Sequence, residues 1–198
     1  MPKTNIAIDF HGLIIDHRPA KYAFFKEVVG VPYSHPLLDR IQILAELRQR
    51  GYDRSFYFDA FDRFIHSAYA QLQTPIPGVQ DFLNATPGSW EFQIISTAPY
   101  NTVTSVHAAV ENLALPRIID IVTVTDESRV GELERRRVRL YFDDKPDILP
   151  SVSARGIATV QISEPGYAEI STSADLGFQS WQEALDKLEE IVYLIEKK

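Results

Sequence analysis

The sequence predicts an α/β protein: a doubly wound, mainly parallel five-stranded sheet with a small helical cap inserted after the first strand. Three observations carry this. Five short segments are rich in Ile and Val and almost continuously apolar, as strands covered on both faces are. The later ones alternate with helix-like stretches, the order that builds a parallel sheet. The first connection instead runs for more than eighty residues, from Ile8 to Phe92, with no convincing strand.

The strand segments are Asn5 to Ile8, Phe92 to Ile95, Ile118 to Val124, Val138 to Phe142 and Ile157 to Ile162. Helices are expected over Tyr100 to Leu115, Val130 to Arg137, Pro150 to Arg155 and, last, Trp181 to Glu196. Inside the long first connection, Pro19 suits the first turn of a helix reaching about Val29. Pro36 opens a second helix, which Gly51 would end. A third, over about Phe56 to Leu72, places Phe61, Ile65, Ala68 and Leu72 on one face. Thr74-Pro75-Ile76-Pro77-Gly78 then closes the insertion as a turn-rich hinge. The expected division is a core of residues 1–16 and 76–198 with a helical cap of residues 17–75. The aromatic density of Phe56, Tyr57, Phe58, Phe61, Phe64 and Tyr69 reads chiefly as packing, with a substrate-facing roof as the other reading.

Composition bounds the function. A chain of 198 residues is long enough to bury a core without a staple, and it contains no cysteine, which removes disulfides, thiolate metal sites and a cysteine nucleophile together. The formal charge of -7 argues against nucleic acid as a partner, because counterion release requires a basic face. The run Arg135-Arg136-Arg137-Val138-Arg139 is the local exception; it reads as a solvated helix end or as an anion-contacting patch. Asp9 interrupts the first apolar stretch too early for a signal peptide, and no run is long enough for a membrane span. A cytoplasmic location without membrane association is therefore expected, and a homo-oligomer is left open.

Chemistry concentrates where strands end. Ile6-Ala7-Ile8 runs into Asp9, and Leu140-Tyr141-Phe142 runs into Asp143 and Asp144. Ligands of open α/β sheets bind beyond the carboxyl ends of strands. Carboxylates gathered there repel unless a cation sits between them, and magnesium, a hard ion held by few carboxylates plus waters, is the natural one. The alternative is structural, since Asp at a strand end also begins turns and caps helices. Ser96-Thr97, ending Phe92-Gln93-Ile94-Ile95, adds a hydroxyl pair that can donate to a phosphoryl oxygen, cap the next helix, or both.

Taken together, these segments resemble the four motifs of the haloacid dehalogenase-like hydrolases, in order and over nearly the whole chain. Asp9-Phe10-His11-Gly12-Leu13 is similar to the first motif, Asp-x-Asp-Gly-Thr/Val. Ile95-Ser96-Thr97-Ala98 resembles the second, and Tyr141-Phe142-Asp143-Asp144-Lys145-Pro146-Asp147 the fourth. The third, a Lys or Arg before the fourth strand, has Arg129, Arg135, Arg136 and Lys145 as candidates, with Arg129 preferred for its place after a short acidic loop. Asp143-Asp144-Lys145-Pro146-Asp147 and Ser96-Thr97-Ala98-Pro99 also resemble segments of the small deoxyribonucleotidases, which carry Asp-Asp-Arg-Pro-Asp and Thr-Ser-Pro there. That likeness places the second-motif hydroxyl on Thr97 and suggests a nucleotide substrate.

The resemblance implies a hydrolase of small phosphorylated substrates with Asp9 as nucleophile and an aspartyl-phosphate intermediate. It implies magnesium held by Asp9, Asp144 and the backbone carbonyl of His11, with Asp143 partly through water. Thr97, Ser96, Arg129 and Lys145 would contact the phosphoryl group. One departure stands out: phosphatases of the family keep an acid-base Asp where this chain has His11. Such a group is worth about 10²–10⁴ in rate. Three readings follow. His11 replaces the Asp, the substrate has a leaving group needing little protonation, or the protein binds a phosphorylated ligand without efficient turnover. Dehalogenases of the family also lack that Asp but need no metal, so the acidic pair argues against their route.

Overall fold

The computed structural model describes residues 3–38, 40–97, 110–111, 113, 115, 117–163 and 169–198. The chain divides into two compact units, one of Met1–Ile14 with Pro75–Lys198 and one of Ile15–Thr74.

The first unit is built on a six-stranded parallel sheet. Its strands are β1 (Thr4–Ile8), β4 (Trp90–Ser96), β5 (Ile118–Thr123), β6 (Leu140–Asp143), β7 (Ala158–Ile162) and β8 (Leu176–Phe178). Their order is β5-β4-β1-β6-β7-β8, so β1 lies centrally, paired with β4 on one side and β6 on the other. All five segments expected from the sequence are strands within two residues of their anticipated ends. The sixth, β8, is too short to stand out as an apolar run, and pairing with β7 alone defines it. Two further short strands, β2 (Ile15–Asp16) and β3 (Thr74–Pro75), pair where the chain passes between the units.

Alternation along the strands feeds two apolar layers. On one face Ala7, Ile95 and Tyr141 pack with Leu133, Leu149 and Val152. Leu133 belongs to α5 (Asp126–Arg135), and Leu149 and Val152 to α6 (Leu149–Ser153). On the other face, the Phe142 ring meets Phe82 of α4 (Val79–Ala85) at 5.5 Å and Trp181 at 5.3 Å. Trp181 begins α7 (Trp181–Asp186), and its indole N–H donates to the Leu13 carbonyl at 2.7 Å. That bond ties the loop following β1 to the helical layer.

Two helix readings in this unit need correction. The expected final helix is two, α7 and α8 (Leu188–Lys197), broken at Lys187, whose φ of -113° and ψ of 27° lie outside the helical range. Helix α5 starts at Asp126 rather than Val130, because Thr125 and Ser128 form a reciprocal capping box. The helix expected over Tyr100 to Leu115 falls largely outside the described residues.

The second unit is helical around an aromatic core. Helix α1 (Arg18–Phe24) widens into a π-helical turn (Phe25–Val29) that Gly30 ends in the left-handed conformation. Helix α2 (Arg40–Gln49) begins later than Pro36, since the chain first turns with the Leu38 amide donating to the His35 carbonyl. Helix α3 (Arg54–Ile65) is capped by the Asp53 carboxylate, which accepts from the Phe56 amide at 2.9 Å. It stops before the anticipated Leu72; Ser67 turns the chain into a separate 3₁₀ segment, Ala68–Leu72. Phe24, Phe25, Tyr33, Tyr57 and Phe64 fill the interior; of the other aromatics singled out in the sequence, Phe56, Phe61 and Tyr69 pack against it half-buried and Phe58 is exposed. Among the described residues, no helix is long and apolar enough to cross a membrane.

Candidate active site

The register of the sheet assembles the acidic cluster. Ile8 stands opposite Phe142 of β6 and Ile94 of β4. Asp9 therefore leaves β1 level with Asp143, and its amide still donates to the Phe142 carbonyl at 3.0 Å. Asp144 follows at the same strand ends. One carboxylate oxygen from each of Asp9, Asp143 and Asp144 lies within 4.8 Å of the others, and all three residues are buried. Ser96 ends β4 on the opposite side of β1 and Thr97 follows it; Ser96 is buried and Thr97 half-buried.

The polar bookkeeping around these groups is uneven. Both oxygens of Asp143 are engaged: Oδ1 accepts from the Lys145 amide at 3.0 Å, and Oδ2 accepts from Arg129 Nη1 and from the Tyr141 hydroxyl, each at 2.6 Å. Asp9 Oδ1 and Asp144 Oδ1 are buried with no hydrogen-bond partner among the described residues. A buried carboxylate oxygen without a donor is costly. Two of them, on residues of one three-carboxylate cluster, fit a divalent cation such as magnesium.

Protonation responds to this arrangement. Burial, and then the neighbouring charge of Asp143, push the Asp9 carboxyl up from 3.8 to about 6, with Lys145 and Arg129 opposing them. The Asp144 carboxyl is held well above the ordinary carboxylate range for the same two leading reasons. For Lys145, partial desolvation disfavours the ammonium, but the charges of Asp9, Asp144 and Asp143 outweigh it and raise its pKa. Burial likewise works against the Arg129 guanidinium, and Tyr141, Asp9 and Asp143 more than offset it.

Arg129, the preferred third-motif cation, reaches the cluster from α5, where it is buried. Its Nη1 is committed to Asp143 and Tyr141 and its Nη2 to Asp126 at 2.9 Å, leaving Nε without a partner among the described residues. Arg135 and Arg136 are elsewhere: both pair with Glu132, and Arg136 also reaches Asp120 and Gln93. Part of the basic run is thus engaged with carboxylates. His11 is half-buried, its ring edge-on to Phe10 at 5.0 Å. Gly12 follows with φ of 91°, a left-handed conformation that turns the chain away from β1.

Sequence reasoning missed Tyr141 as a polar member of the site. The available signal was its place two residues before Asp143, because side chains at i and i+2 of a strand share a face. A tyrosine inside an apolar run otherwise reads as core.

No family model and no curated protein matches the sequence. Solved structures do match. A haloacid dehalogenase-like family hydrolase from Streptococcus pneumoniae superposes with a TM-score of 0.69 at 16% identity, covering 94% of this chain and 98% of that one. This is the haloacid dehalogenase-like fold. A family hydrolase from Deinococcus radiodurans with bound phosphate and sodium gives 0.64 at 15% identity, covering 96% of each chain. A defluorinating L-2-haloacid dehalogenase gives 0.58 at 12% identity, covering 94% of this chain and 95% of that one. Since a phosphate-bound hydrolase and a dehalogenase share this fold, the fold leaves the chemistry to the site.

Proposed function

We propose that this protein is a magnesium-dependent hydrolase of a small phosphomonoester, a nucleotide among the candidates, acting in the cytoplasm. The observation that carries the proposal is the pair of partnerless buried oxygens, Asp9 Oδ1 and Asp144 Oδ1, in a three-carboxylate cluster at adjacent strand ends. Asp9, Asp144 and the carbonyl of His11 would hold the ion, with Asp143 contributing partly through water. When bound, magnesium neutralises charge on the transferring phosphoryl group and on the carboxylates around it.

With all three carboxylates ionised, Arg129 and Lys145 leave the cluster one net negative charge, and a cation held there would offset its repulsion of a phosphate dianion. Asp9 attacks phosphorus, forming an acyl phosphate as the ester oxygen departs; water then cleaves that bond, releasing phosphate and restoring Asp9. His11, two residues from the nucleophile, would protonate the departing oxygen and later accept a proton from the water. Ser96 and Thr97, at the end of β4, supply hydroxyl donors to the phosphoryl oxygens. Lys145 supplies a cation whose charge is felt at Asp9, and Arg129 acts mainly by holding Asp143.

The test is phosphate release from a panel of phosphomonoesters, nucleotides included, with magnesium and with a chelator. Release is expected only with magnesium and is lost in Asp9→Asn. Turnover that persists undiminished in Asp9→Asn would refute the assignment of the nucleophile.

A further inference from the structure

Tyr141 is fully buried in β6 among Ala7, Ile95, Leu133 and Leu149. Filling that space requires only a phenyl ring. A hydroxyl there is costly unless it is hydrogen-bonded. Its partners are both at the acidic cluster: it donates to Asp143 Oδ2 at 2.6 Å and accepts from Arg129 Nη1 at 3.0 Å. Arg129 Nη1 donates to the same carboxylate oxygen, so phenol, guanidinium and carboxylate close a three-membered ring of bonds. The Lys145 amide fixes the other oxygen of Asp143 from the loop side. Asp9 Oδ1 and Asp144 Oδ1 are buried with no hydrogen-bond partner among the described residues.

We infer that Tyr141 is a positioning residue: with Arg129 it locks the Asp143 carboxylate in one orientation, so that Asp9 and Asp144 present their free oxygens to the cation. The inference rests on the magnesium reading above and extends it to a residue that touches neither ion nor substrate. Without the hydroxyl, Oδ2 keeps a single donor and the carboxylate gains freedom to rotate toward Asp9 and Asp144. Outer-shell partners of metal ligands typically change affinity by about 10–100-fold when removed.

The test is calorimetric titration of magnesium chloride into metal-free wild type, Tyr141→Phe, Asp143→Asn and Arg129→Lys, each shown to be folded by thermal unfolding. Wild type is expected to bind. Tyr141→Phe is expected to bind about tenfold more weakly, and its half-saturating magnesium concentration in turnover should rise equally while the KM for substrate stays unchanged. Tyr141→Phe binding magnesium as wild type does would overturn the positioning role and leave the metal site standing. Absence of binding by wild type would overturn the magnesium reading and this inference with it. Asp143→Asn calibrates the loss of the carboxylate itself; should Tyr141→Phe not fold, Arg129→Lys, which keeps the charge but loses the guanidinium that bonds both Oδ2 and the phenol, decides: weakened binding supports the lock on Asp143, and undiminished binding overturns it.

Discussion

Replacing Asp9 with asparagine exchanges one oxygen for an amino group and removes one charge, yet its effect on stability should run opposite to its effect on turnover. Asp9 is 2% exposed, and burial followed by the charge of Asp143 raises its carboxyl from 3.8 to about 6 in the folded, metal-free protein. An acid whose folded pKa is raised binds more protons folded than unfolded. Stability therefore falls as pH rises from about 4 to about 6, and the full deficit is present above 6. At about 1.36 kcal/mol per pH unit, the gap corresponds to roughly 3 kcal/mol. The carboxamide of the Asp9→Asn variant has the same shape, can still accept from the Phe10 amide, and carries no charge to desolvate. Metal-free Asp9→Asn should be more stable than wild type at pH 7.5 by roughly 2–3 kcal/mol, or about 5–10 °C in Tm for a chain of this size. The advantage should fade as pH approaches 4, where the Asp9 carboxyl is neutral in the folded state and about 40% protonated in the unfolded one. Urea and thermal unfolding in chelator at several pH values measure this directly. Excess magnesium should narrow the gap, since a ligand at one hundred times its Kd stabilises by about 2.7 kcal/mol and Asp9→Asn has lost a ligand. A variant no more stable than wild type at pH 7.5, or one whose advantage is the same at pH 4, would refute the argument that Asp9 is held charged against its environment.

Two further predictions probe the scaffold. Phe142→Ala removes a fully buried ring packed between Phe82 and Trp181, and should cost about 3–5 kcal/mol in urea unfolding. Gly12→Ala forces a side chain onto a backbone with φ of 91° directly after His11, and should lower stability by about 1–2 kcal/mol on the same assay.

The site was legible in the sequence to the extent that strand ends are legible. Asp9, Asp143 and Asp144 stood out because each follows an apolar run, and parallel strands in one sheet present their carboxyl ends together. Helix ends were less visible. The break at Lys187 and the early start at Asp126 depend on local backbone angles and on reciprocal capping, which override the apolar period. The second-motif hydroxyls are placed at the end of β4, while the helix expected after them falls largely outside the described residues.

What the sequence determined by itself was the order of elements, the long insertion after the first strand and the carboxylates at the strand ends, because these follow from apolar patterning read along the chain. Tertiary structure alone decided how the charges are shared. The register of β1 with β6 brings Asp9 level with Asp143, and α5 delivers Arg129 to a carboxylate fourteen residues away in sequence. Strand alternation turns Tyr141 toward the same oxygen. Which carboxylates are engaged and which remain open to a cation depends on three-dimensional hydrogen bonding, and no spacing along the chain records it.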